Sequence, residues 1–233
     1  MYAVAAHEPH PHPRSREAVE NYAKAIYALQ GKGGGEPVGT NVLAERLGVT
    51  AGSVSAMLRK LDDDGLVAHV PYRGVTLTDK GEKLALEVLR HHRLLELYLA
   101  EHLGVPWDRV HEEAEALEHV LSEDLERRIA AKLGNPTRDP HGDPIPSVEL
   151  VIDEEATTAL DALEPGARGR FVRVSDEDPE MLRYLAERGI ALGEALEVLA
   201  RQPFGGPLTV RIAGADHILG GRLAHSMRIE LES

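Results

Sequence analysis

The sequence predicts a mostly α-helical protein that ends in a small β domain. Three observations carry this. Apolar residues recur at helical spacing from about residue 16 to residue 133, with Gly at the breaks. Residues 40–79 read as helix, tight turn, helix and hairpin. From about residue 156 the texture changes to short β-branched runs separated by Gly and Pro.

Composition bounds the class. A chain of 233 residues, 42% hydrophobic and 28% charged, can bury a sizeable core as one large domain or as two to three small ones. It has no cysteine, which excludes disulfides, a thiolate zinc site and a cysteine nucleophile. No apolar run approaches a membrane span and the N-terminus lacks a signal-peptide core, so the expected location is cytoplasmic, away from membranes. The net charge of −13 argues against a sequence-blind DNA coat. Its distribution is uneven: residues 1–75 hold 8 Lys+Arg and 8 Asp+Glu, while residues 76–140 hold 9 against 14 and residues 141–233 hold 9 against 17. A neutral N-terminal third can serve as a local reading head with the acid held elsewhere.

Residues 1–15 are rich in Pro and His and are expected to be a disordered tail, with His7, His10 and His12 as weak metal binders at most. An apolar stripe of Val19, Tyr22, Ala23, Ile26, Tyr27 and Leu29 predicts a helix over 16–30, ended by GKGGGEP. Thr40 is the expected N-cap of a short helix to Leu47, and Gly48 ends it. A second helix over 51–64 turns Val54, Met57, Leu58 and Leu61 inward, and LVAHV-PYRG-VTLTD follows as a hairpin. This is a winged helix-turn-helix. Its second helix would enter the major groove of an operator with Thr50, Ala51, Ser53 and Ser55, while Arg59, Lys60 and the wing residue Arg73 meet phosphates.

Thr78 or Asp79 caps a long helix to Leu103 whose broad apolar face implies a partner helix or a second subunit. A further helix is expected over 107–121, and another from Ser122 to Leu133. GNPTRDPHGDPIP closes the helical part as a turn segment. Beyond a connector at 147–155, five or so short strands and one amphipathic helix ended by Gly189 suggest a small SH3-like barrel.

The most informative chemistry lies in VHEEAEALEHVLSEDLE. On one continuous helix His111, Glu115, Glu118 and His119 share a face, at offsets 0, +4, +7 and +8. Two imidazoles and two carboxylates there call for a counter-charge, which a divalent ion supplies. A single His–Glu pair would read as a solvated helix face. Four groups favour metal, and His92 with Glu96 adds a second pair at +4.

The order of parts resembles the diphtheria-toxin-repressor family of iron- and manganese-dependent regulators, in its long form with a C-terminal SH3-like FeoA domain. The resemblance covers residues 16–233 and rests on AVENYAKAIYALQ, LAERLGVTAGSVSAMLRKLDDDGLV, LTDKGEKLA, RHHRLLE, VHEEAEALEHVLSEDLERRI and HGDPIP. It implies a DNA-binding domain at 16–78, a helical dimerisation and metal-binding domain at 79–146, a linker at 147–155 and the FeoA domain at 156–233. It further implies a homodimer that binds a double-stranded operator when loaded with metal.

The resemblance also assigns ligands. The ancillary set is His92, Glu96 and His111, completed by Glu177 and Glu180 of the barrel with Asp178 as a spare. The primary set is Glu115, Glu118 and His119 with Asn21 of the first helix. The iron branch has sulfur at the positions of Asn21 and Glu115, so Mn²⁺ is the expected cofactor, with Fe²⁺ as alternative and Zn²⁺, Co²⁺ or Cd²⁺ as substitutes in vitro. The manganese branch has acids where this chain has Asn21 and Lys24, which favours two separate sites over a close binuclear one. In the mechanism this implies, metal ties the first helix to the dimerisation region and the barrel to the helical domain, fixing the spacing of two recognition helices. A metal-dependent hydrolase is the reading from another class, but HEEAE is not HExxH and no nucleophile or oxyanion loop is evident. A metal-independent regulator sensing an organic ligand is a third.

Overall fold

The computed structural model describes residues 13–232, in two compact units divided between Leu89 and Arg90. The Pro- and His-rich stretch with His7, His10 and His12 lies outside the described residues. Among them, no helix is long and apolar enough to cross a membrane.

The first unit begins with α1 (Pro13–Lys32), three residues earlier than the apolar stripe predicts; proline is tolerated in a helix's first turn, where its missing N–H is not needed. Then come α2 (Thr40–Leu47) and α3 (Ala51–Asp63). Gly39, not Thr40, is the N-cap of α2, so the helix starts at Thr40, one residue earlier than the expected cap would place it. Gly48 closes α2 in the left-handed region at φ 64°, and Thr50 caps α3 by accepting the Ser53 N–H. β1 (Val67–Val70) and β2 (Gly74–Leu77) form the antiparallel wing, paired from Val67–Leu77 to Val70–Gly74. Gly74 is obligatory, because φ is 122° and a Cβ would collide with the Val38 carbonyl. Ile26, Leu43, Val54, Leu61 and Val75 are fully buried and form the centre of this unit's core. The unit ends within α4 (Asp79–Leu103), whose start Thr78 caps by accepting the Gly81 N–H.

The second unit continues α4 and adds α5 (Val110–Leu117), one 3₁₀ turn (Glu118–Val120) and α6 (Glu123–Lys132). The single helix expected over 107–121 is therefore broken at Glu118. The tighter turn leaves room for Ser122 to cap α6 through the Leu125 N–H. Leu94, Leu95, Ala114, Ile129 and Ile145 pack this helical part, and Arg90 clamps it through Glu126 at 2.6 Å and the Pro146 carbonyl at 2.6 Å.

The remaining elements are β3 (Thr158–Ala159), β4 (Arg168–Val174), α7 (Pro179–Glu187), β5 (Ala195–Arg201), β6 (Leu208–Ile212), β7 (Ala215–Leu219), α8 (Gly221–Ser226) and β8 (Met227–Leu231). Six strands, one more than the texture suggests, pair antiparallel in the order β3-β8-β4-β5-β6-β7. Bulges at Phe171/Arg173 and Val198/Ala200 curl the sheet around Phe171, Leu182, Leu185, Val198, Val210 and Ile229. This is the small SH3-like domain.

The turn segment 139–144 docks on β4. The Val174 N–H donates to the His141 carbonyl at 2.9 Å, and Gly142, at φ 85°, sits where a Cβ would collide with the Val172 carbonyl. Asp143 lies 3.6 Å from Arg173 and 3.8 Å from Arg93.

Candidate metal centre

Four side chains from three segments of the second unit converge on one point. His92 and Glu96 lie one turn apart on α4, so both face the same way. His92 Nε2 is 3.0 Å from Glu96 Oε1 and 3.1 Å from His111 Nδ1 on α5. His111 Nδ1 in turn lies 3.3 Å from Glu96 Oε1 and 2.9 Å from Asp176 Oδ2, in the loop before α7. The donor atoms of His92, Glu96, His111 and Asp176 all lie within 4.8 Å of one another.

Asp176 stands where Glu177 and Glu180 were expected. Both of those glutamates are exposed. Asp178 is used as the N-cap of α7, accepting the Glu180 N–H at 3.1 Å.

The sequence reading also missed two donors in the turn segment. His141 is fully buried, and Glu96, Asp139 and His141 form a second group of ligand atoms within the same 4.8 Å. His141 Nε2 donates to the Trp107 carbonyl at 2.7 Å, so in the neutral ring Nδ1 carries the lone pair. That nitrogen is buried without a hydrogen-bond partner, 4.0 Å from Glu96 Oε1. Asp139 Oδ1 accepts the backbone N–H groups of His141 and Asp143, at 2.8 and 2.9 Å. The signal was HGDPIP itself, which the periodicity reading treated as punctuation.

Glu115, Glu118 and His119 follow α5. The 3₁₀ turn rotates Glu118 into the interior, where its Oε2 is 2.5 Å from His92 Nδ1 and its Oε1 is 3.3 Å from His119 Nε2. Glu115 is half-buried and joins His92 and Glu118 in a third group within 4.8 Å. The two expected ligand sets thus meet at the His92–Glu118 contact. Asn21 belongs to the first unit, half-buried on α1, with its Oδ1 accepting no hydrogen bond among the described residues.

Electrostatics follow from the crowding. Burial opposes the Glu96 charge, but hydrogen bonds from His111 and His92 outweigh it and hold its pKa down to about 2. His111 is pushed up to about 10, first by its hydrogen bond to Asp176 and then by Glu96. Asp176 is half-buried, which opposes its charge, yet His111 holds it below the usual carboxylate range. Burial, then Asp143 and Glu96, push Asp139 well up. The cluster gathers carboxylates around His111, whose charged form they favour.

A divalent cation fits this donor set. Glu96 Oε2 and His141 Nδ1 are buried without hydrogen-bond partners, and every donor is imidazole nitrogen or carboxylate oxygen.

The residues expected at DNA are on or beside α3 and the wing. Thr50, Ala51, Ser53, Ser55 and Arg59 are exposed and Lys60 is half-buried. Thr50 and Ser55 already serve the helix, Thr50 as its cap and Ser55 by donating to the Ala51 carbonyl at 2.9 Å. Arg73 is exposed on the wing and paired with Glu36.

Comparison with known proteins gives a consistent picture. Residues 16–75 match the family model described as iron dependent repressor, N-terminal DNA binding domain; residues 78–147 match its metal binding and dimerisation domain; residues 158–231 match the FeoA domain. The chain is 35% identical to the iron-dependent repressor IdeR of Mycobacterium tuberculosis, over 92% of this chain and 97% of that protein. It is 32% identical to the diphtheria toxin repressor of Corynebacterium efficiens, over 92% and 95%. Among solved structures, a manganese-dependent transcriptional repressor in complex with manganese superposes with a TM-score of 0.84 at 44% identity, covering 92% of this chain and all of that one.

Proposed function

Since the chain belongs to the diphtheria-toxin-repressor family of metal-dependent, DNA-binding transcriptional regulators, with a C-terminal FeoA domain, we propose that its ion is Mn²⁺ and that loading completes a homodimer competent for its operator. The family's DNA-binding and dimerisation domains imply DNA and a second copy of this chain as partners. A repressor of this kind does not catalyse a reaction, and the hydrolase reading is set aside. Its place of work is the cytoplasm, where its operator is.

The observation that carries the choice of manganese is the donor chemistry. Glu96, Asp139, Asp176, Glu115 and Glu118 offer carboxylates, His92, His111, His119 and His141 offer imidazoles, and the chain has no thiol. Such a set suits a hard or borderline ion. The 44% identity to a manganese-dependent repressor supports the same choice.

His92, Glu96, His111 and Asp176, with Asp139 and His141 at their side, form the ancillary site in this reading. Glu115, Glu118 and His119 form the primary site, and Asn21 is its first-helix candidate by resemblance alone. The ion draws α4, α5, the 139–144 turn and the barrel's Asp176 into one arrangement. The four-part division at 16–78, 79–146, 147–155 and 156–233 is the working domain map. On the DNA side, Ala51 and Ser53 face base edges, with Thr50 and Ser55 beside them, and Arg59, Lys60 and Arg73 meet phosphates.

An operator-binding titration with Mn²⁺, Fe²⁺ and Zn²⁺ tests this, on the wild type and on Glu115→Ala. Mn²⁺ should raise operator affinity in the wild type, and the variant should lose the response while keeping its fold. Operator affinity that ignores both chelator and Mn²⁺ would sink the reading. A response to Fe²⁺ with none to Mn²⁺ would assign the chain to iron.

A further inference from the structure

The two ligand sets meet at one side chain. His92 Nε2 faces Glu96 Oε1 at 3.0 Å and His111 Nδ1 at 3.1 Å. Its Nδ1 faces Glu118 Oε2 at 2.5 Å, and Glu118 Oε1 faces His119 Nε2 at 3.3 Å. His92, Glu96 and Glu118 are all buried, so water cannot replace one contact of this line with another. The line exists because the chain leaves the α-helix at Glu118: the 3₁₀ turn directs that side chain at α4 rather than along the face of α5.

A neutral imidazole has one N–H and one lone pair. Nε2 can serve as a ligand only as the lone pair, and the hydrogen then sits on Nδ1, where it donates to Glu118. With no ion at Nε2 the ring has a choice. A hydrogen on Nε2 would satisfy Glu96 but would leave two acceptors, Nδ1 and Glu118 Oε2, facing each other. An ion at Nε2 removes that choice, as an outer hydrogen bond does for any ligating histidine.

We propose that His92 is a positioning residue that couples the two ion sites: its Nε2 serves the ancillary set while its Nδ1–H holds Glu118 for the primary set, so that filling either site tightens the other. The proposal rests on the two-site reading given above. Reciprocity is required, since a coupling free energy acts equally in both directions. The size expected is at least about fivefold in affinity, the lower end for such couplings.

The test uses the full chain and Mn²⁺ alone, following free Mn²⁺ by electron paramagnetic resonance, with folding checked by circular dichroism. His111→Ala removes an ancillary ligand and leaves His92 in place; it should weaken Mn²⁺ at the remaining site at least about fivefold. His92→Gln offers an oxygen near the position of Nε2 but no donor toward Glu118. In that background at saturating Mn²⁺ two ions should still bind, and His111→Ala should no longer affect the remaining site. In the wild type, titration with diamagnetic Zn²⁺ should leave the His92 hydrogen on Nδ1 in nitrogen-15 spectra. Two ions that bind independently in the wild type, or a coupling that survives His92→Gln, would overturn the proposal while sparing the two-site reading. Absence of any bound Mn²⁺ would overturn both.

Discussion

His141 donates its Nε2–H to the Trp107 carbonyl at 2.7 Å, and that bond turns its Nδ1 lone pair toward Glu96, 4.0 Å away. The two rings also stack, with centroids 6.1 Å apart and planes 20° from parallel. Trp107 is the chain's single tryptophan and packs against the barrel core. Its fluorescence is therefore expected to change as Mn²⁺ fills the site. Trp107→Phe and Trp107→Ala both keep the carbonyl that accepts the Nε2–H, so both should hold ion affinity to within about tenfold, the loss that follows when an outer-shell partner is removed. Stopped titrations of emission in wild type, and isothermal titration of the variants, check both. An emission spectrum indifferent to Mn²⁺ would count against a ligand role for His141.

Asp139 separates a structural role from an electrostatic one. Its Oδ1 accepts two backbone N–H groups, and an asparagine oxygen can accept the same two. Its buried charge is pushed toward protonation, so Asp139→Asn should leave the ion-free protein as stable as the wild type or more so at pH 7. Asp139→Ala orphans both donors and should cost about 2 kcal/mol. Both variants should bind Mn²⁺ more weakly. Chemical denaturation without metal, beside calorimetric titration with it, distinguishes the two effects.

Proton linkage should be visible at the cluster. His111, raised to about 10 from 6.5, stabilises the ion-free fold fully below about pH 6.5 and loses that contribution as pH rises through 10. Glu96, lowered to about 2 from 4.5, contributes fully above about pH 4.5 and loses it as pH falls through 2. Asp139 and Asp143, both raised by burial, remove stability as pH rises from about 3.8 toward their raised pKa values. The melting temperature of the ion-free protein should fall from about pH 6.5 upward, and Mn²⁺ should flatten that fall. Since the ion displaces the His111 proton, about one proton should leave per ancillary ion at pH 7. Binding enthalpies in buffers of different ionisation heat measure this, and a buffer-independent enthalpy would contradict it.

The wing carries an internal competitor for phosphate. Arg73 is paired with Glu36, and both side chains are mostly exposed. Arg73→Ala should weaken operator and non-specific DNA alike and reduce the slope of log K against log salt by about 0.9. Glu36→Gln should strengthen both at low salt. Fluorescence anisotropy at several salt concentrations reads the slope; an unchanged slope in Arg73→Ala would place that residue off the DNA.

The fold was legible where local chemistry has one solution. Thr78 caps α4 and Ser122 opens α6 as expected, Gly48 closes α2, and the apolar spacing of α3 and α4 matches what is buried. At the site, the +4 spacing of His92 and Glu96 suffices to bring them together. Helical periodicity failed at Glu118, because a 3₁₀ turn leaves the same residues on different faces and carries no composition signature. It was also silent about SDEDPE, where Asp176, Glu177, Asp178 and Glu180 are chemically equivalent until a cap is assigned. Asp139 and His141 sit in a turn, where no period exists to read.

That the barrel contributes a single carboxylate has a consequence for how such a regulator is tuned. His92, Glu96, His111, Asp139 and His141 all precede residue 156, and among the described residues of these groups only Asp176 comes from the FeoA domain. If Asp176 ligates the ion as proposed, the appended domain is expected to act as a dial on the ion concentration at which the response sets in. Substitutions in the Ser175–Glu180 loop can raise or lower that threshold without altering the helix that reads DNA.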